Sequence, residues 1–290
     1  MQLLAYIIFY PLLWFISILP FRLLYVLSDF IYILIYHIIG YRKKTVRSNI
    51  ALVLPHLSKK ERLSIEKKSY KHLCDMFLEM IKTMNLSQKE IERRFTFSNL
   101  DVYLDLEKKG KSIAVLIAHY ASYEWVISMN RVISFDGFAI YKKLRNPYFD
   151  KLIKDIRSKF KAYLINTKET IDVMKKNDEE GRLCVYGFAS DQSPKAAKAY
   201  HWAPFMGHKV PIHTGAEMLS KRFDMNVIYL KVKKIKRGFY EATFEVLSED
   251  VRSVPDYQIS DMFIKRVEEQ IRESPEFYLW THKRWKHKKD

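Results

Sequence analysis

Cysteine is nearly absent. Cys74 and Cys184 are the only two in 290 residues, and both sit among apolar neighbours. That excludes a disulfide framework and fits a main domain facing a reducing cytosol. A free cysteine in such surroundings is by default a small buried hydrophobe, not a nucleophile. Charge is missing from the start of the chain, because residues 3–21 (LLAYIIFYPLLWFISILPF) hold no side chain ionised at neutral pH. No internal repeat and no low-complexity linker interrupts the rest, so residues 41–290 read as one domain. Disorder is excluded by a hydrophobic content of 48% and an aromatic content of 14%.

A membrane span needs ~20 apolar residues at ~1.5 Å rise each, and residues 3–21 just meet that length. A cleaved signal peptide fits poorly, with no basic region ahead of the run and no small-residue cleavage site behind it. Arg22, Arg42, Lys43, Lys44 and Arg47 all lie C-terminal to the segment, so the positive-inside rule assigns the rest of the chain to the cytoplasm. Residues 23–40, broken by Asp29 and His37, read as an interfacial or domain-packed helix. Residues 1–40 thus form an anchor with one span. The net charge of +17 lies beyond it, since residues 41–290 carry 49 basic and 32 acidic side chains. A basic face beside a greasy anchor points to anionic lipid, a phosphate-bearing substrate or an acidic protein, although charge alone does not separate these from nucleic acid.

Capping boxes at Ser58/Glu61 and Ser87/Glu90 announce two helices. Strand signals fall at residues 112–118, 138–142, 162–165 and 183–188, with helical segments between them. Residues 226–234 and 239–247 form a hairpin about Arg237-Gly238. Residues 189–212 read as a long loop. The expected fold is α/β, a central mixed sheet flanked by helices.

The chemistry concentrates where a buried strand hands over to a helix, at Ala118-His119-Tyr120-Ala121-Ser122-Tyr123-Glu124-Trp125. His119 and Glu124 would stand about 140° apart on a continuous helix. They converge only if His119 lies in the preceding turn. A neutral imidazole there takes a proton from an attacking hydroxyl, and the carboxylate fixes its tautomer. Read alone, the pair is better explained as a structural histidine and a capping acid. Arg157 reads either as a planar fork for phosphate or carboxylate, or as a surface charge. Asp191 reads as a cleft residue or as a turn former ahead of Gln192-Ser193-Pro194. His201, His208 and His213 match no metal-site spacing, so no metal is expected.

The ordered series resembles the late acyltransferases of lipid A biosynthesis, the lauroyl/myristoyl transferase family, in its Bacteroidetes branch. It comprises Tyr41-Arg42-Lys43-Lys44 with Asn49, the histidine-x4-acid pattern, YKKLRNPYFD over residues 141–150, Arg157, Asp191-Gln192-Ser193-Pro194, Pro204-Phe205-Met206-Gly207, Thr214-Gly215 and YLWTHKRWK over residues 278–286. Many relatives read Gly-Asn-Trp-Glu where this chain has Ala121-Ser122-Tyr123-Glu124.

The resemblance implies a glycerolphosphate-acyltransferase-like fold behind an N-terminal transmembrane helix, on the cytoplasmic face of the inner membrane. It makes residues 41–290 an acyltransferase domain, His119 the general base and Glu124 its orienting partner, with Arg157 and Asp191 in the cleft. The implied donor is acyl-acyl carrier protein and the implied acceptor a hydroxyl on a lipid A precursor, with inner-membrane phospholipid around it and no nucleic acid. No cofactor is implied. An acceptor of another kind, an amino-acid lipid or a glycolipid mannoside, is the nearest alternative, and a membrane-tethered polyanion binder the more distant one. The basic tail over residues 283–289 reads as a headgroup contact or a solvated end.

Overall fold

A computed structural model describes residues 1–289. Pro20 divides its apolar N-terminus. Helix α1 (Gln2–Ile18) ends at Leu19, whose φ/ψ of −56°/138° is the extended geometry a following proline favours. Pro11 lies inside α1 without ending it. Helix α2 (Phe21–Tyr32) continues as a π-helical stretch, Ile33–Ile39, and stops at Gly40 in the left-handed region (φ 67°). The expected span over residues 3–21 is corrected here. Helix α1 has 17 residues, whereas Phe21–Ile39, with 19, is the helix long and apolar enough to cross a membrane.

Helix α3 (Lys43–Val53) leads to α4 (Lys59–Lys82), the longest helix described. The capping box of α4 is complete: Glu61 N–H donates to Ser58 Oγ at 3.2 Å and Ser58 N–H donates to Glu61 Oε2 at 2.7 Å. Helix α5 (Gln88–Arg94) has only half of its box, since Ser87 accepts from Glu90 N–H while the Glu90 carboxylate turns to Arg93 and Arg94. The alternating remainder runs β1 (Phe95–Phe97), α6 (Leu100–Glu107), β2 (Ile113–Ile117), β3 (Asp136–Tyr141), α7 (Pro147–Ser158), β4 (Tyr163–Asn166), α8 (Thr170–Glu179) and β5 (Cys184–Ala189). A short ribbon of β6 (His201–Phe205) and β7 (His208–Ile212) comes next, then α9 (Gly215–Arg222), β8 (Asn226–Lys236), β9 (Phe239–Ser248) and α10 (Gln258–Glu273). The ribbon lies where a loop was expected. Its residues Val210 and Ile212 are buried, a pattern that the prolines and histidines of the segment obscure in sequence.

Seven strands form one sheet in the order β1-β9-β8-β2-β5-β3-β4. Only the β8–β9 hairpin pairs antiparallel within it, so the sheet is mixed as expected. Strand β2 is central, between β5 and β8, and its Ile113, Ala114, Val115 and Leu116 are all at most 2% exposed. A continuous apolar strand requires such double coverage.

The hairpin tip reaches the N-terminal helices. Gly238 sits at φ 74°, and a Cβ there would stand 1.9 Å from Tyr25 Oη. Gly238→Ala therefore combines backbone strain with overpacking, and it should cost roughly 2 kcal/mol or more. In a chain of this size that lowers Tm by about 3 °C or more. A thermal melt indistinguishable from that of the wild type would refute the packing.

Candidate active site

Strands β2 and β5 are parallel neighbours with Ile117 opposite Ala189. Two residues beyond each partner, at the same sheet edge, stand His119 and Asp191. Their side chains meet: His119 Nδ1 is 2.6 Å from Asp191 Oδ1, which also accepts from the His119 backbone N–H at 3.1 Å. Asp191 is 1% exposed. With Nδ1 bound to a carboxylate, the ring carries its proton there and leaves Nε2 as the basic nitrogen.

The stretch after His119 is held by backbone contacts from the C-terminal segment. Leu279 N–H donates to His119 O at 3.1 Å, Ala121 N–H donates to Phe277 O at 3.0 Å, and Tyr120 bridges to Tyr278. Ala121 is forced into the left-handed region, φ 47°, at the position where the family that this sequence resembles often has glycine. The chain then winds as a 3₁₀ helix, Tyr123–Arg131, where an α-helix was expected. The expected His119–Glu124 contact is corrected accordingly. Glu124 takes the fork of Arg157, from α7, in two bonds: Nε to Oε2 at 3.1 Å and Nη2 to Oε1 at 2.8 Å. Asp191 occupies the place on the imidazole that Glu124 was expected to take. Four residues singled out in sequence are thus brought together: Arg157 forks a carboxylate, one of the two functional readings offered for it, while the acid on the imidazole is Asp191 and not Glu124.

His119, Tyr123, Glu124 and Arg157 border a cavity of about 900 Å³. Its far walls are apolar, with Met80, Val126, Ile127 and Ile153 among them. The Tyr123 ring stands edge-on to the imidazole, centroids 4.9 Å apart. A narrower pocket on the other side of His119 is bounded by His72, Phe277 and Tyr278.

The C-terminal segment supplies a residue that sequence reading assigned to the surface. Arg284 is fully buried behind Asp191, with its guanidinium 5.0 Å from the Phe205 ring centre. None of its three nitrogens has a hydrogen-bond partner among the described residues. Its place within YLWTHKRWK, between the aromatic residues Trp280 and Trp285, was the available signal, since charge counts treat every arginine as solvated. Asn49 secures the same segment, donating to Trp280 O and His282 O at 2.8 Å each. The three histidines of the ribbon region diverge: His201 pairs with Asp261 at 2.7 Å, His208 reaches Leu52 O at 3.3 Å, and His213 lines the cavity.

Burial opposes charge on His119, but the charge and hydrogen bond of Asp191, with Glu124 adding to them, outweigh it and raise its pKa above the ordinary value. Burial likewise opposes the Asp191 carboxylate, yet His119 and then Arg284 hold its pKa below the usual carboxylate range. The two groups stabilise the fold with opposite pH dependence. His119 contributes fully below ~6.5 and loses that contribution as pH rises through its elevated value. Asp191 contributes above ~3.9 and loses it as pH falls through its depressed value. By NMR titration His119 should have a pKa above ~6.5, and in Asp191→Asn it should fall below the wild-type value because burial persists without the carboxylate. An equal or higher value in the variant would refute the pairing.

The family of bacterial lipid A biosynthesis acyltransferases matches residues 2–287. No curated protein matches the chain. Nearly the whole sequence is covered by the family match, and the protein belongs to the bacterial lipid A biosynthesis acyltransferase family.

Proposed function

We propose that this enzyme transfers a fatty acyl chain from acyl-acyl carrier protein to the hydroxyl of a hydroxyacyl chain on a lipid A precursor, at the cytoplasmic face of the inner membrane. The observation that carries the reading is the His119–Asp191 contact at the rim of an apolar cavity. A cavity of about 900 Å³ has room for an acyl chain, and His119 lines it. The net charge of +17 suits both the strongly acidic donor protein and a phosphorylated acceptor.

In the proposed step, His119 Nε2 accepts the hydroxyl proton while the oxygen attacks the thioester carbonyl. Asp191 stabilises the imidazolium that forms, as the acid of a triad does. The tetrahedral intermediate collapses to the ester, and the departing thiolate recovers the proton from the imidazolium. Glu124 adds negative potential beside His119 and fixes Arg157, whose Nη1 takes no part in the pair and is available to the carbonyl oxygen as its charge develops. No covalent enzyme intermediate is needed.

Three variants test the roles, read by labelled acyl transfer to a lipid A precursor. His119→Ala should lower transfer at least ~10²-fold, and Asp191→Asn by ~10²–10⁴-fold, because it permits the wrong imidazole tautomer. Glu124→Gln should lower transfer while leaving the His119–Asp191 contact in place. Near-wild-type turnover in His119→Ala would sink the assignment. Transfer to other lipids but not to the precursor would replace the acceptor alone.

A further inference from the structure

We propose that α1 and α2 do not cross a bilayer but lie flat in its interface as a monotopic hairpin, with the acyl chains of one leaflet covering their exposed side. The inference rests on where these helices are tied, and it does not depend on the reaction assigned above.

Helix α2 is bonded to the domain along most of its length by one stripe of side chains. Tyr25 donates to Glu79 at 2.8 Å, Ser28 to Asp75 at 2.7 Å and Tyr36 to Glu66 at 2.8 Å. Asp29 receives Arg237, from the tip of the β8–β9 hairpin, through Nη1 at 3.0 Å and Nη2 at 2.8 Å. Arg237 simultaneously holds Asp75. These residues recur at intervals of three, one and seven, so they share one face of the helix. A 19-residue helix is ~28 Å long, close to the ~30 Å hydrocarbon thickness. Were Phe21–Ile39 to cross, Asp29 would sit near the middle of the bilayer and carry with it Arg237, Asp75 and the turn of a β-hairpin. Buried charge at that depth costs at least ~2.5–3.5 kcal/mol per group, and lipid-exposed turns do not occur in hydrocarbon.

Helix α1 is tied at both ends. Near its start, Asn146 donates to Gln2 O at 3.2 Å and the Tyr6 ring lies 5.6 Å from those of Tyr148 and Phe149. At its close, Lys82 Nζ donates to Ser17 O at 2.7 Å. The elbow between the helices is buried in the domain, with Ile16, Leu24 and Leu78 in one cluster and Arg94 3.4 Å from the Phe21 ring centre. A helix fixed at each end to the same domain lies along that domain.

The opposite sides of the two helices fit an acyl-chain layer. Leu4, Ile8, Leu12 and Phe15 on α1, with Val26 and Phe30 on α2, keep 52–66% of their surface exposed. Cations flank this helical segment: Lys43 lies over the Tyr36 ring and Lys71 over the Tyr32 ring, 4.1 and 5.4 Å from the centres. Lysines beside an apolar stripe match an anionic leaflet. The same placement serves the cavity. Helix α1 bridges α4 and α7, which contribute Met80 and Ile153 to the cavity wall. Exposed Phe77 and Leu144 border it on that side, so a lipid chain passes from leaflet to cavity without crossing open water.

The test uses the full chain added to preformed vesicles of phosphatidylethanolamine and phosphatidylglycerol. Nitroxides are placed singly at Ile8→Cys, Leu12→Cys, Val26→Cys and Ile33→Cys; the native Cys74 and Cys184 are buried and do not compete. An in-plane hairpin puts all four labels within ~10 Å of the phosphate level on the side of addition. It also leaves Gln2→Cys open to an impermeant maleimide from outside. Labels at the midplane or in the far leaflet, Gln2→Cys protected until the vesicles are permeabilised, or no vesicle binding would each overturn the proposal.

Discussion

The parallel pairing of β2 with β5 is the constraint on which the site depends. Ile117 faces Ala189 across that pair, and the strands release the chain at one sheet edge with His119 and Asp191 in matching positions. The 2.6 Å contact between them is a consequence of that register and needs no long side chain to bridge a gap. A slip of one residue would turn each side chain to the other face of the sheet and dissolve the contact. Double burial of β2 makes such a slip costly, since Ile113, Ala114, Val115 and Leu116 are all fitted to neighbours on both sides. Stability of the sheet and geometry of the site therefore share one cause.

Around that edge the two ends of the chain close the structure. The C-terminal segment fixes the backbone of His119 and Ala121 and places Arg284 behind Asp191. Asn49, from near the start of the domain, holds the same segment by two carbonyls. Burying an arginine is expensive unless nearby negative charge compensates it. Here burial lowers the pKa of Arg284, and the carboxylate of Asp191, itself held below the usual range by His119 and Arg284, offsets this only in part. The strained φ of Ala121 belongs to the same arrangement, because backbone bonds to Phe277 and on either side of His119 leave that residue little choice.

The excess positive charge divides into two populations. Lys234 and Arg237 are committed to Asp75, Arg157 to Glu124, and Arg94 to Glu90 and the Gly238 carbonyl. These partly buried pairs orient elements, and salt screens them little. Lys43 and Lys71, over the Tyr36 and Tyr32 rings, make no such close pair with a carboxylate among the described residues, and their long-range attraction to anions weakens with salt.

Local chemistry determined much of this in sequence. The capping box at Ser58, the proline at the start of α7, the continuous apolar run of β2 and the turn at Gly238 all act through residues a few positions apart. They were legible for that reason. His119, Glu124, Arg157 and Asp191 were also legible as residue types in a recognisable order, but their pairing was not. Glu124 is five positions from His119 and Asp191 is 72 away, so proximity along the chain favoured the wrong acid. Only strand order decides which carboxylate reaches the ring, and only the 3₁₀ winding of Tyr123–Arg131 sends Glu124 to Arg157. The same limit governs the N-terminus. Apolar count sets how greasy a helix is, whereas the direction in which it lies is decided by Arg237, a residue 208 positions from Asp29. Composition and local pattern specify elements; long-range contacts specify which of their side chains meet.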